Sequence, residues 1–417
     1  MRIDPGIIRD VLSRTDLAAL VGSYVSLTKR GNDLVGLCPF HSEKTPSFHV
    51  HPDRGFFKCF GCGLGGDAIR FLSQMENVPF PEAVRTLAKR AGVAIEEETP
   101  AAARSRSEKE LIYRANDLAA NYFHRMLREP AGETARAYCE RRGLTQETIE
   151  AFKLGFAPDR WDGLVGELQR DGVDLAIAAK AGLVKQGQHG YYDFYRARLM
   201  VPTLSTTGEV IAFGGRALGD EEPKYLNTAT TPVYTKGRYL FALNVARREA
   251  AQKDAFIVVE GYLDCIALHQ AGFHNAVASL GTAFTAEQAN EIKKYCRNVF
   301  LCFDADPAGQ TATLKSIDTL VAAGCSARVV RLPEGEDPDS FVRNRGSEAF
   351  AQLLDDATSW VEYKLDHEIA TIRGGFRSAA EIAREAEKLV RGLPREEWDR
   401  WRVYLAARLG LNVDDLR

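Results

Sequence analysis

"NVFLCFDADPAG", residues 298–309, is the stretch on which the fold turns. The apolar run ends on Asp304, and Asp306-Pro307 follows before a row of small residues. A short apolar run of this kind reads as a strand buried on both faces, and Asp-Pro reads as the start of a helix. "AFIVVEG" (255–261) repeats the pattern and ends on Glu260, while "NAVASLG" (275–281) and "SARVVRL" (326–332) give two further strands. Helical stretches separate them, at about 262–271, up to about 295, and at about 307–323. Short apolar strands alternating with helices predict a parallel α/β sheet.

Ligands of an open parallel sheet gather at the carboxyl ends of its strands. Glu260, Asp304 and Asp306 fall there, Asp264 lies one helical turn after Glu260, and Asp337 and Asp339 lie just past the fourth strand. Acids converging in this way repel one another unless cations are present. Oxygen-only ligation selects hard ions, Mg²⁺ or Mn²⁺, which align a hydroxyl nucleophile with a phosphoryl leaving group. Two plainer readings compete. Asp306 before Pro307 suits a helix N-cap, although Glu260-Gly261 and Asp304 suit that role less well. A phosphatase forming an aspartyl-phosphate shares the strand-Asp-x-Asp pattern, but Ala308 stands where that class carries Thr or Val, and it has no use for Glu260.

Charge is divided unevenly around a formal net of −3. Residues 254–339 hold twelve Asp/Glu against six Lys/Arg, and residues 196–238 hold six Lys/Arg against four Asp/Glu. An acidic pocket beside a basic strip suits a site that handles divalent cations and a polyanion together.

Toward the N-terminus, "CPFHSEKTPSFHVHPDRGFFKCFGC" (38–62) holds the pairs Cys38/His41 and Cys59/Cys62. Each pair closes a knuckle, and four ligands fill a tetrahedral zinc shell, so this ion is read as structural rather than catalytic. A Cys59–Cys62 disulfide with a buried His41 is the alternative. His49 and His51 lack a partner at knuckle spacing and are read as surface residues of a β-ribbon. Phe40, Phe48, Phe56, Phe57 and Phe60 suit a small core, with base stacking as a second use. Cys139, Cys265, Cys296, Cys302 and Cys325 are scattered singly and read as reduced core residues.

A helix is expected at about 5–21, helices split by a proline over 66–92, and a linker at 96–108, where no apolar period is visible. A helix should follow at 109–129, strands over 190–242 with a turn at Thr207-Gly208, and mostly helix over 341–417 with a break at Gly374-Gly375. Neither a signal peptide nor a membrane-length apolar run is visible, which predicts a cytoplasmic protein without a membrane partner.

Taken together, "CPFHSEKTPSF", "FKCFGCGLGGDAIRF", "FGGRALGDEEPKYLN", "VVEGYLD" and "DADPAG" resemble the bacterial replicative primases of the DnaG type, in family order from about residue 4 to beyond 340. The resemblance implies a multidomain α+β and α/β protein. It comprises a zinc-ribbon domain at 1–97, a linker at 98–108, and an RNA polymerase core whose N-terminal part is 109–253. A Toprim subdomain follows at 254–340 and a helical subdomain at 341–417; the family's helicase-docking C-terminal domain is absent. It implies template-directed synthesis of short RNA primers from NTPs on single-stranded DNA, with an RNA–DNA hybrid as product. Glu260, Asp304 and Asp306 become the central ligands of two or more Mg²⁺ or Mn²⁺ ions, with Asp264, Asp337 and Asp339 in support and one structural zinc in the finger. Arg142, Arg216, Lys224, Tyr225, Asn227 and Lys236 match a basic ridge, and Arg196 and Arg198 become template or nucleotide contacts. A topoisomerase or nuclease sharing the Toprim sheet, and a non-catalytic zinc-finger DNA-binding protein, are the alternatives.

Overall fold

The computed structural model describes residues 5–31, 33–93, 100–219, 221–280, 284–374 and 398–415, with isolated positions between 381 and 395. The chain forms two compact units, residues 1–103 and 104–417.

The first unit opens with two helices where one was expected. Helix α1 spans Pro5–Arg14 and α2 spans Leu17–Gly22. The break falls at Asp16, whose carboxylate accepts from Ala19 N at 3.0 Å and so starts a new helix. An antiparallel ribbon follows in the order β1 (Thr28–Arg30), β2 (Asp33–Gly36), β3 (Phe48–His51), β4 (Phe56–Cys59) and β5 (Gly65–Gly66). Helices α3 (Ala68–Glu76) and α4 (Phe80–Ala91) close the unit, parted at Asn77 in the left-handed region and at Pro79. Alternation in β3 and β4 sends Phe48, Val50 and Phe57 into the core against Val11, Phe71 and Leu87. Each such side chain contributes roughly 1.5–3 kcal/mol by leaving water. Phe40 packs on Phe48 and Phe57, whereas Phe60 stays 69% exposed.

The boundary between the two units falls within the expected linker, but the described part of that stretch, 100–108, is helical. Helix α5 runs Pro100–Arg128, so this stretch forms its first turns. Its Ala, Arg, Glu and Lys residues are strong helix formers, and Pro suits a first helical position. The missing apolar period therefore spoke to packing, not to helicity. Residues 96–99 of that expectation lie outside the described residues.

Next come α6 (Glu133–Arg141), α7 (Gln146–Ala151), β6 (Gly155–Ala157), α8 (Gly163–Arg170) and α9 (Leu175–Lys180). Strands β7 (Val184–Gly187) and β8 (Gly190–Asp193) form a hairpin. Strands β9 (Arg198–Leu204), β10 (Val210–Ala217) and β11 (Tyr225–Asn227) join β6 in an antiparallel sheet ordered β11-β10-β9-β6. Beyond Asn227 the expected strands do not continue. Residues 228–242 run through turns to α10 (Leu243–Lys253).

The parallel sheet carries β12 (Phe256–Val259), β13 (Ala276–Ala278), β14 (Asn298–Leu301) and β15 (Ser326–Val329). Their order is β13-β12-β14-β15, with a short antiparallel edge, β16 (Thr358–Ser359), that was not expected. Helices α11 (Tyr262–Gln270), α12 (Ala286–Ile292) and α13 (Pro307–Ala322) connect the parallel strands. The chain leaves β12 toward one edge for β13, then crosses to the other side for β14 and β15. The order therefore reverses between β12 and β14, and ligands of such sheets bind at that reversal. Helix α14 spans Pro338–Asp355, α15 spans Trp360–Gly374 and α16 spans Trp398–Leu409. Helices α15 and α16 share a small core of Val361, Leu365, Trp401 and Leu405. Helix α15 ends at the expected glycine pair, whose second member lies outside the described residues. The five scattered cysteines are buried and unbridged, as expected. Among the described residues no helix is long and apolar enough to cross a membrane.

Candidate active site

Two metal-type sites differ in how the chain builds them. In the first unit, the two knuckles bring Cys38, His41, Cys59 and Cys62 together with every ligand atom within 4.8 Å of the others. Cys38 Sγ and Cys62 Sγ stand 3.9 Å apart, and Cys59 Sγ and His41 Nδ1 stand 3.8 Å apart. A tetrahedron with metal–sulfur legs of about 2.3 Å has sulfur–sulfur edges of roughly 3.8 Å, so the set fits zinc. A disulfide does not form; all four groups face one centre. Gly61 in "CFGC" has a physical reason, since a Cβ there would meet His41 Nε2 at 2.7 Å. The sequence reading passed over Glu43. Its Oε2 lies 3.2 Å from His41 Nε2, and its Oε1 accepts from Cys38 N at 2.7 Å and from Ser47 N at 3.1 Å. An acid that holds the far nitrogen of a ligand histidine fixes its ring orientation.

His49 and His51 point outward from β3, as their spacing suggested. His51 Nδ1 pairs with Asp33 Oδ1 at 2.6 Å. His49 meets the exposed Phe60 ring edge-on at 5.0 Å, and His51 tilts against Phe56 at 4.4 Å. This outer face also carries Lys58, opposite His49 in the ladder.

In the second unit, a cleft of about 240 Å³ opens where the parallel sheet reverses its order. Glu260, Asp264, Asp304 and Asp337 line it, and so do Arg142, Arg216, Lys224, Tyr225 and Asn227. Residues from widely separated parts of the sequence thus converge as the charge pattern suggested. Glu260 follows the last residue of β12, and Asp304 lies three residues beyond β14. Glycine is required at 309, where a Cβ would sit 2.2 Å from the Asp304 carbonyl oxygen as α13 begins.

The electrostatics show an acid site short of positive charge. Burial, with the nearby charges of Asp304 and Asp306, pushes the Glu260 carboxyl up to about 7. Asp264 also rises to about 7, through burial first and then Asp337, Asp304 and Asp339. Asp304 is raised by burial and by Asp337 and Asp306, with Lys224 opposing. Glu260 Oε1 and Asp304 Oδ1 are buried without a hydrogen-bond partner. Buried acceptors left unpaired are costly, and a hard divalent cation is the partner these two oxygens lack. The residues present therefore fit divalent metal use.

Five of the expected residues lie outside the cleft wall. Asp306 is not in the cleft wall. It caps α13, its Oδ1 accepting from Gly309 N at 2.7 Å, and it stands close enough for its charge to raise both Glu260 and Asp304. Asp339 is also outside the wall and forms an ion pair with Arg142. Arg198 is buried, with its Nη1 donating to the carbonyls of Gly215 at 3.1 Å and Pro223 at 2.9 Å. It braces the β9–β10 pair and the turn after it, so it does not face a nucleic acid. Lys236 is exposed but does not line the cleft. Arg196, also outside the wall, lies 3.8 Å over the Trp161 ring, which is 62% exposed. The sequence reading missed Tyr262, whose hydroxyl donates to Asn227 Oδ1 at 3.3 Å and whose ring forms part of the cleft wall. Its place directly after Glu260-Gly261 was the available signal.

Comparison with known proteins agrees with this architecture. Residues 3–103 match the CHC2 zinc finger, residues 122–247 the N-terminal domain of the DNA primase catalytic core, and residues 257–342 a Toprim-like domain. These matches define the class: a zinc-ribbon module joined to a primase-type core that carries a Toprim sheet. The DNA primase of Halalkalibacterium halodurans is 39% identical over 393 residues, covering 93% of this chain and 64% of that protein. That of Pseudomonas aeruginosa is 41% identical over 406 residues, covering 93% and 60%. The chain thus spans under two thirds of the length of these curated relatives. The crystal structure of the zinc-binding and RNA polymerase domains of Aquifex aeolicus primase has a TM-score of 0.62 at 31% identity, covering 98% of both chains. A DnaG primase catalytic domain bound to single-stranded DNA has a TM-score of 0.64 at 33% identity, covering 74% of this chain and 99% of that one. The chain belongs to the DnaG-type DNA primase family.

Proposed function

We propose that the chain is a DNA primase that makes short RNA primers from NTPs on single-stranded DNA by metal-assisted nucleotidyl transfer. One observation carries this reading: Glu260, Asp264, Asp304 and Asp337 share a cleft wall with Arg142, Arg216 and Lys224. Such a cleft suits a substrate that brings phosphates and divalent cations together. The cations are proposed to be two or more Mg²⁺ or Mn²⁺ ions, with a single zinc in the ribbon.

When bound, the divalent ions supply charge stabilisation and alignment for in-line displacement at the α-phosphate. Glu260 and Asp304 hold them through the two unpaired oxygens. Lys224 and Arg216 meet phosphate oxygens, Arg216 already lying 5.2 Å from the Tyr225 ring centroid. Asn227 and Tyr262 fix the opposite edge through their mutual hydrogen bond. The ribbon meets unpaired template bases through the Phe60–His49 and Phe56–His51 pairs, whose rings suit stacking without sequence preference. The DNA-bound state of a structural relative supports single-stranded DNA as template.

The test is incorporation of labelled ribonucleotides on single-stranded DNA with Mg²⁺ or Mn²⁺. Template-dependent short RNA supports the reading. Relaxation or cleavage of supercoiled DNA instead would assign the acidic sheet to a topoisomerase or nuclease.

A further inference from the structure

The tripeptide Asp337-Pro338-Asp339 offers two acids of one type, but the fold uses them differently. Asp337 is the extended N-cap of α14, and its Oδ1 accepts from Ser340 N at 2.6 Å while the residue lines the cleft. Asp339 lies in the first turn of the same helix, 2% exposed and outside the cleft wall. Two helical positions apart is about 200° of rotation, which is why one acid turns to the cleft and the other away.

Asp339 is already engaged. Its Oδ2 accepts from Arg142 Nη1, and Arg343 Nη1 stands 3.8 Å away. Its backbone N–H donates to Asp264 Oδ1 at 3.4 Å. Arg142, the C-cap of α6, does line the cleft. The pair thus bridges α6 and α14, 197 residues apart in sequence. A guanidinium is a rigid planar fork of five donors, so fixing one nitrogen sets the direction of the rest.

We propose that Asp339 is a positioning residue and not a metal ligand: it holds Arg142 at the rim of the acidic cleft, where the remaining donors meet the triphosphate of an incoming nucleotide. The kinetic part of this inference rests on the nucleotidyl-transfer reading, whereas the metal part stands without it.

The experiment is Mn²⁺ titration followed by electron paramagnetic resonance, with wild type, Asp337→Asn and Asp339→Asn side by side. Asp339→Asn should bind the same number of Mn²⁺ ions as wild type, with affinity within about twofold, and Asp337→Asn should bind them more weakly. In ribonucleotide incorporation, Asp339→Asn should raise the KM for NTP on the order of tenfold with kcat nearly unchanged, the difference between a charge-assisted and a neutral hydrogen bond. Arg142→Ala should raise the same KM, and the two effects should not add. Loss of an Mn²⁺ site in Asp339→Asn, matching Asp337→Asn, overturns the proposal. Should Asp339→Asn fail to fold, the pair Arg142→Met/Asp339→Leu removes both charges and leaves none buried alone. Retained Mn²⁺ binding in that variant supports the proposal and loss of a site overturns it. If the Mn²⁺ results hold while no protein incorporates ribonucleotides, the assignment of Asp339 as a non-ligand stands and the primase reading fails.

Discussion

The zinc ribbon and the acidic cleft are both built to hold cations, yet they gather their ligands in opposite ways. The ribbon's four ligands come from two short knuckles, and their atoms converge within 4.8 Å. The acids come from the ends of β12 and β14, from α11 and from the start of α14, and among the described residues they form no group that tight. Thiols and an imidazole need not be charged when they meet, so packing and turn geometry bring them together. Carboxylates taken out of water beside one another tend to keep a proton, and burial first, then the neighbouring acids, pushes Glu260 and Asp264 up to about 7. One site is drawn closed by local sequence; the other is assembled by topology and waits for its ions.

The contrast predicts its largest effect at the ribbon. Structural zinc in finger peptides contributes on the order of 10–16 kcal/mol near pH 7. Cys59→Ser should therefore unfold the first unit, seen as loss of near-ultraviolet circular dichroism and rapid proteolysis within residues 5–93. A variant that stays folded and protease-resistant would show that the hydrophobic core around Phe48 and Phe57 suffices without metal.

At the cleft the effect should fall on chemistry and spare the fold. Glu260→Gln and Asp304→Asn each remove an unpaired buried oxygen's charge, and transition-state stabilisation by a metal is worth several kcal/mol, so kcat should drop about a thousandfold. Thermal unfolding without divalent ions should be unchanged or slightly raised, because each substitution relieves repulsion. A variant that keeps half its activity removes that residue from the metal site.

How far each site was legible in the sequence follows from the same contrast. The zinc set was readable because knuckle spacing is local and its chemistry is narrow. The parallel sheet was readable because short apolar strands alternate with helices, and Glu260 and Asp304 follow from strand ends alone. The cap at Asp306 was legible from the following Pro307, but the contacts of Asp339 and Arg198 were not. A buried ion pair and a brace to backbone carbonyls depend on which way a side chain turns after its strand or helix begins. Composition misled at 100–108, since Ala, Arg and Glu without an apolar period suit a helix as well as an unstructured linker.

The raised carboxyls give a pH test of the acidic half. A carboxyl whose pKa is higher in the folded state binds more protons there than in the unfolded chain. Stability is then lost as pH rises from the unfolded value, about 4.3 for Glu, through the folded value near 7. Differential scanning calorimetry of the divalent-free protein should show the transition of residues 104–417 falling between pH 5 and 8. Mg²⁺ should restore it at pH 8 and do little at pH 5, where protons occupy the acids. A transition that rises over this range would mean the acids are not strained in the free protein.

The smallest effect belongs to single phosphate contacts. Each adds about −0.7 to the log–log salt slope for single-stranded DNA. Lys224→Ala and Arg216→Ala should each flatten the slope by about that amount in fluorescence anisotropy. Arg198→Ala should lower stability through its three lost carbonyl contacts and leave the slope unchanged.

The measurement that bears most directly on this division of labour is Mn²⁺ binding by the zinc-stripped protein. The acidic cleft draws every ligand from residues 104–417, so its ions should bind in the same number and with affinity within about twofold of the zinc-loaded protein. Loss of Mn²⁺ binding together with zinc would contradict the account, because the ribbon would then be part of the acidic site and not a separate module held together by its own ion.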